Sequence, residues 1–132
     1  MDQKRILMID DDPSFLEIGS AILKEYNYQV DTATNTREGL EKLVGLAPDL
    51  LILDIMMATI DEGINFATSL REREDLPKIP IIILSGRPDT EKGYKRSIER
   101  DMDWIAADIF MEKPVNPKDL VHNVRLLLQQ ES

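Results

Sequence analysis

DLLILD, residues 49–54, is the stretch that decides the fold. Four apolar residues run unbroken between two aspartates, too few for an ordinary helix and with no polar alternation. Such a run fits a strand buried on both faces, as in a parallel sheet covered by helices. PIIIL at 80–84 repeats the pattern. These two give expected strands over Asp49–Leu53 and Pro80–Leu84. Outward from them, Lys4 to Ile9, Tyr28 to Ala33 and Ile109 to Met111 read as three more.

Helical stretches alternate with the strands. Asp12-Pro13 opens the first, with Asp12 as cap and Pro13 in the first turn, where a missing N–H costs nothing. Phe15, Ile18, Gly19 and Ile22 recur at helical spacing and are expected on its inward face. Asn35 with Glu38 caps a second helix carrying Leu40, Leu43 and Val44. A loop over 55–62 precedes a third, from Gly63 to about Glu74. Pro88 to about Arg100 is a weak helix whose only apolar spacing is Tyr94 and Ile98. Asn116-Pro117 caps the last, with Leu120, Val121, Val124, Leu127 and Leu128 toward the core. Five strand–helix alternations imply right-handed crossovers and a doubly wound α/β fold, (βα)5, around a five-stranded parallel sheet.

The 132 residues suit one compact domain, 1–132, and the last helix runs almost to Ser132, so no output domain is expected. There are no cysteines, which excludes disulfides, thiolate metal sites and a cysteine nucleophile. One histidine, His122, gives a zinc site no support. No apolar run reaches the roughly 20 residues that span a bilayer, and Met1-Asp2-Gln3-Lys4-Arg5 does not open a signal peptide. A cytoplasmic protein without membrane contact is expected. With 25 Asp+Glu against 16 Lys+Arg the net charge is −9, which argues against direct nucleic-acid binding. The acidity serves either solubility or carboxylates gathered for chemistry.

In an open parallel sheet, ligands sit beyond the carboxyl ends of the strands. Asp10, Asp11 and Asp12 follow the first strand, Asp54 ends the third, Ser85-Gly86 close the fourth, and Lys113-Pro114 follow the fifth. Asp10, Asp11 and Asp54 carry −3 and Lys113 returns +1, so a hard cation is needed, and oxygen ligands at a partly hydrated site suit Mg²⁺. A carboxylate can take a phosphoryl group as an acyl phosphate, while metal, ammonium, hydroxyl and backbone N–H groups neutralise and hold its oxygens.

This arrangement resembles the response-regulator receiver family over essentially the whole chain. The matching motifs are ILMIDDDPSF at 6–15, DLLILDIMM at 49–57, PIIILSG at 80–86 and FMEKPV at 110–115, all in order. The resemblance implies the flavodoxin-like strand order 2-1-3-4-5 of the chemotaxis receiver. It makes Asp54 the phosphoacceptor, receiving its phosphoryl group from the phosphohistidine of a sensor histidine kinase or a phosphotransfer protein. Mg²⁺ would be held directly by Asp11, Asp54 and the backbone carbonyl of Met56, and through a water by Asp10. Lys113, joined to Pro114 by a cis peptide, would pair with the phosphoryl group. Ser85 would bind that group after transfer, and Phe110 occupies the aromatic switch position. The family signals by a conformational change to a downstream protein partner; it catalyses only its own phosphorylation and slow dephosphorylation and is not otherwise an enzyme. This chain departs from the pattern at Ala58, where proline is usual, and at Glu62, where glycine is usual, with Gly63 one place later. The segment from Ser85 to Lys113 is also longer than usual.

Each of these residues has a plainer reading. Asp12 is explained by capping alone, and Asp54 or Ser85 could merely start a turn. Phe110 could be core. Trp104 is either a packing anchor or a partner contact, and Arg87, Lys92, Lys95, Arg96 and Arg100 form either a solvated face or a dock for an acidic partner. Two other functions compete: a phosphohydrolase of the haloacid-dehalogenase type, with Asp10 as nucleophile, and a degenerate receiver that binds partners without phosphorylation.

The lifetime of an acyl phosphate depends on whether side chains can hold a water in line with it. Two residues after Asp54 stands Met56, a poor hydrogen-bonding group, and two after Ser85 stands Arg87, which donates but cannot act as a base. Dephosphorylation is therefore expected to be slow, and Asn at 56 with Glu at 87 should shorten the lifetime. An unchanged or slower decay in that double variant would remove these two residues from its control.

Overall fold

The structure, a computed structural model, describes residues 3–54, 60–76, 78–85 and 108–129, apart from the side chains of 60–64. In chain order the elements are β1 (Arg5–Ile9), α1 (Pro13–Glu25), β2 (Gln29–Ala33), α2 (Thr36–Leu46), β3 (Leu50–Asp54), α3 (Ile60–Glu72), β4 (Ile81–Ser85), β5 (Ile109–Glu112) and α4 (Pro117–Gln129). The strands form one sheet in the order β2-β1-β3-β4-β5, all pairs parallel. The expected helix over 88–100 lies outside the described residues, as do Met56, Ala58, Arg87 and Trp104.

Every residue of β3 and β4 is buried. Side chains alternate across a strand, so the apolar runs feed two cores. Leu7, Ile9, Leu51, Leu53, Ile81 and Ile83 point to one face, where they meet Leu43 of α2 and Ala67 and Leu70 of α3. Ile6, Met8, Leu50, Ile52, Ile82 and Leu84 point to the other, against Leu16 and Leu23 of α1 and Leu120 and Val124 of α4. Each such side chain contributes about 1.5–3 kcal/mol by leaving water.

The helix starts follow the sequence signals. Asp12 accepts from the Ser14 N–H at 3.0 Å, and Asn116 accepts from Lys118 N–H at 2.8 Å. Asn35 accepts from Glu38 N–H at 2.8 Å, but the Glu38 carboxylate reaches past the cap to the Thr34 N–H at 2.9 Å. At its other end α3 is closed by Lys78, whose ammonium donates to the carbonyls of Leu70, Arg71 and Arg73.

Two helix faces and one helix start differ from expectation. Ile18 is 60% exposed and Val44 62% exposed. The buried stripe of α1 is Leu16, Gly19 and Leu23, with Phe15 and Ile22 at its edge, and Val44 lies just past the α2 stripe. Helix α3 begins at Ile60, three residues before Gly63. The five core positions expected on α4 are all buried. Among the described residues no helix is long and apolar enough to cross a membrane.

Gly39 sets the approach of α2 to the sheet. A Cβ there would lie 2.4 Å from Ile9 Cδ1, closer than packed carbons can come, and Ile9 is itself buried. Gly39→Ala should therefore destabilise the fold by about 1–3 kcal/mol, the range for overpacked cores, read as a lowered denaturation midpoint. An unchanged midpoint would mean that Ile9 finds another rotamer without strain.

Candidate functional site

Among the described residues the only buried polar or charged residues are Asp10, Asp54 and Ser85. All three stand at carboxyl ends of strands. Asp10 follows β1, and its N–H continues the pairing by donating to Ala33 O at 3.0 Å. Asp54 closes β3 opposite Leu84, and Ser85 closes β4 opposite Glu112. One more rung, from Lys113 N–H to Ser85 O at 2.9 Å, places Lys113 at the same rim. Parallel pairing thus gathers residues that the sequence scatters from position 10 to position 113.

The Lys113 ammonium donates to Asp10 Oδ2 at 2.6 Å and to Asp54 Oδ2 at 3.3 Å. The other Asp10 oxygen accepts from Asp12 N–H at 2.9 Å, which also fixes the turn into α1. Asp11 is exposed, yet carboxylate oxygens of Asp10, Asp11 and Asp54 all lie within 4.8 Å of one another. At an effective dielectric of about 20, two unit charges at that distance repel by roughly 3 kcal/mol. Three such pairs exceed what one ammonium can offset, and the donors are all hard oxygens, so the cluster fits a Mg²⁺ ion. Lys113 has a third neighbour: its Nζ lies 4.6 Å from the centre of the Phe15 ring.

Burial pushes the Asp10 carboxyl up to about 6; the hydrogen bond from Lys113 opposes this and the charge of Asp54 adds to it. Burial acts to lower the Lys113 ammonium, but its bond to Asp10 and the charge of Asp54 outweigh that and raise it. For Asp10, a folded value above the ordinary 3.8 means that the acid form is favoured by folding. Its contribution to metal-free stability is complete below about pH 4 and is lost as the pH rises through about 6. Asp10→Asn should gain stability relative to the unsubstituted protein across that window, on the order of 3 kcal/mol. Denaturation in EDTA at several pH values reads this, and a pH-independent difference would contradict it.

Of the residues singled out in the sequence, Asp10, Asp11, Asp54, Ser85 and Lys113 come together, and the Lys113–Pro114 peptide is cis. On β5, Phe110 pairs with Ile83 of β4 and packs, partly buried, against the core beneath α2 and α3. Met56 lies outside the described residues. Sequence reasoning gave Phe15 only a packing role; its contact with Lys113 bridges the ends of the chain and leaves no local signal.

A model of the response regulator receiver domain matches residues 6–125. The chain belongs to the response-regulator receiver family. It is a receiver domain of the kind found in two-component systems, and the haloacid-dehalogenase alternative falls with that assignment. The alkaline phosphatase synthesis transcriptional regulatory protein PhoP of Bacillus subtilis (strain 168) is 31% identical over 127 residues, covering 96% of this receiver and 49% of PhoP. The response regulator Rre1 of Synechocystis sp. is 32% identical over 130 residues, covering 96% and 52%. The receiver chain thus spans about half the length of the curated relatives it matches. A CheY-like receiver domain protein from Methanospirillum hungatei JF-1 superimposes with a TM-score of 0.79 at 29% identity over 98% of both chains. Chemotaxis protein CheY4 of Vibrio cholerae shares the fold, with a TM-score of 0.80 at 24% identity over 96% of this chain and 99% of that one.

Proposed function

We propose that this receiver accepts a phosphoryl group on Asp54 from the phosphohistidine of a sensor kinase or phosphotransfer protein, with Mg²⁺, in the cytoplasm. The observation that carries the reading is the cluster of Asp10, Asp11 and Asp54 carboxylates with Lys113 bonded to two of them. Mg²⁺, when bound, supplies positive charge to the oxygens of the transferring group. Asp11 and Asp54 would hold it directly, with the Met56 carbonyl as third protein ligand and Asp10 acting through a water.

An Asp54 oxygen forms the new bond to phosphorus while the bond from phosphorus to the donor imidazole nitrogen breaks, and that nitrogen leaves with the bonding pair. Lys113 then pairs with a phosphoryl oxygen, and the Ser85 hydroxyl donates to another. Ser85 sits one rung from β5, so its movement toward the new group reaches Phe110 and passes a conformational change to a downstream protein. The chain needs no separate enzyme for the transfer.

Incubation with acetyl phosphate tests this. Intact-mass analysis should show one added phosphoryl group in Mg²⁺ and none in EDTA. Equal labelling in both, or none in Mg²⁺, would overturn the reading.

A further inference from the structure

We propose that Phe15 is a positioning residue for the phosphoryl-transfer site, holding the Lys113 ammonium through the face of its ring; this rests on the reading of Asp54 as phosphoacceptor. Lys113 ends in three N–H donors, and three partners surround it: Asp10 Oδ2 at 2.6 Å, Asp54 Oδ2 at 3.3 Å and the Phe15 ring centre at 4.6 Å. A cation within about 6 Å of an aromatic centre is attracted by the negative face of the ring.

The ring is itself held in place. Phe15 stands in the first turn of α1, two residues after Pro13 and three after the Asp12 cap, and packs half-buried against the core beneath α1 and α4. Lys113 and Phe15 together line an apolar groove of about 540 Å³ with Pro114, Val115 and Leu120. A lysine side chain has four flexible bonds and loses much rotamer freedom when fixed. The ring offsets part of that loss and leaves the charge facing Asp54. Without it, Lys113 keeps its carboxylate bonds in the resting state. When Asp54 takes on the phosphoryl group, the ammonium must re-aim at a new oxygen, while the ring, like Asp10, keeps its place.

Three proteins test the idea: unsubstituted, Phe15→Leu, which keeps an apolar side chain but no aromatic face, and Phe15→Tyr, which keeps the face. With acetyl phosphate in saturating Mg²⁺, Phe15→Leu should label about fivefold more slowly and Phe15→Tyr within about twofold of the unsubstituted protein. Acetyl phosphate needs no protein interface, so a loss confined to a kinase donor would assign Phe15 to docking and overturn the proposal. Equal rates for all three, or equal losses in Leu and Tyr, would also overturn it.

A second measurement does not depend on phosphorylation. The Lys113 ζ-ammonium NMR signal should carry a ring-current shift that Phe15→Leu abolishes and Phe15→Tyr retains, and an unchanged shift in Phe15→Leu would refute the contact. An unsubstituted protein that shows the shift yet takes no phosphoryl group would instead overturn the reading of Asp54.

Discussion

Asp11→Asn is expected to lower the rate of Mg²⁺-dependent labelling by about a hundredfold or more, while the protein stays folded. Asp11 is the exposed member of the carboxylate cluster, so its replacement leaves no hole in the core and no buried charge unpaired. What it removes is one unit of the negative charge that draws a divalent ion to this rim. A dianionic phosphoryl group approaching Asp10 and Asp54 then meets charge that Lys113 alone cannot balance. Losing one such electrostatic element typically costs about 10²–10³ in rate. In EDTA the variant should melt no lower than the unsubstituted protein, since among the described residues Asp11 makes no side-chain bond and its charge repels Asp10 and Asp54, whereas stabilisation by added Mg²⁺ should disappear. Labelling of Asp11→Asn at the unsubstituted rate would show that the ion, if needed, is not held there.

Lys113→Ala separates the opposing roles of the ammonium bonded within the cluster. In the metal-free protein its ammonium is bonded to both buried aspartates, so any metal ion must compete with it. Its removal should leave Mg²⁺ affinity unchanged or raise it several-fold, because a competing positive charge is gone. The same change takes the Lys113 ammonium away from two buried carboxylates, and removing one side of a buried ion pair typically costs about 3–5 kcal/mol. Metal-free Lys113→Ala should therefore melt well below the unsubstituted protein, and added Mg²⁺ should recover more stability than it gives the unsubstituted chain. Phosphorylation-dependent change at β5 should be lost even where Asp54 is labelled. A fall in Mg²⁺ affinity in the folded variant would contradict the placement of Lys113 as the metal's competitor.

The sheet was legible because its central strands allow little else. A run such as LLIL or IIIL has no polar face to give to water, and the aspartate or serine that ends it marks the rim where ligands gather. The helix faces were harder to place. Ile18 and Val44 match helical spacing as well as their buried neighbours do, and only the tilt of each helix on the sheet decides which edge of the stripe faces water. At the start of α3, Thr59 and Glu62 stand at capping-box spacing around Ile60, a signal that the reading of 55–62 as a loop passed over. At the site, residue identities were readable, but only the family resemblance set Asp10 apart from Asp11, and their burial was not legible. Asp10 and Asp11 are adjacent and chemically alike, yet one is buried and bonded to Lys113 while the other is exposed. That difference follows from where the chain leaves β1 after its last backbone bond to Ala33. Contact between Phe15 and Lys113 depends on α1 and the β5–α4 turn meeting in space, which no pattern along the chain encodes.

The central claim is that Asp54 is the phosphorylated residue, and locating the acyl phosphate tests it most directly. After incubation with acetyl phosphate and Mg²⁺, reduction with borohydride converts an aspartyl phosphate to homoserine, which peptide mass spectrometry can place. The account predicts homoserine at position 54, with labelling abolished in Asp54→Asn. Homoserine at position 10, or undiminished labelling of Asp54→Asn, would contradict it.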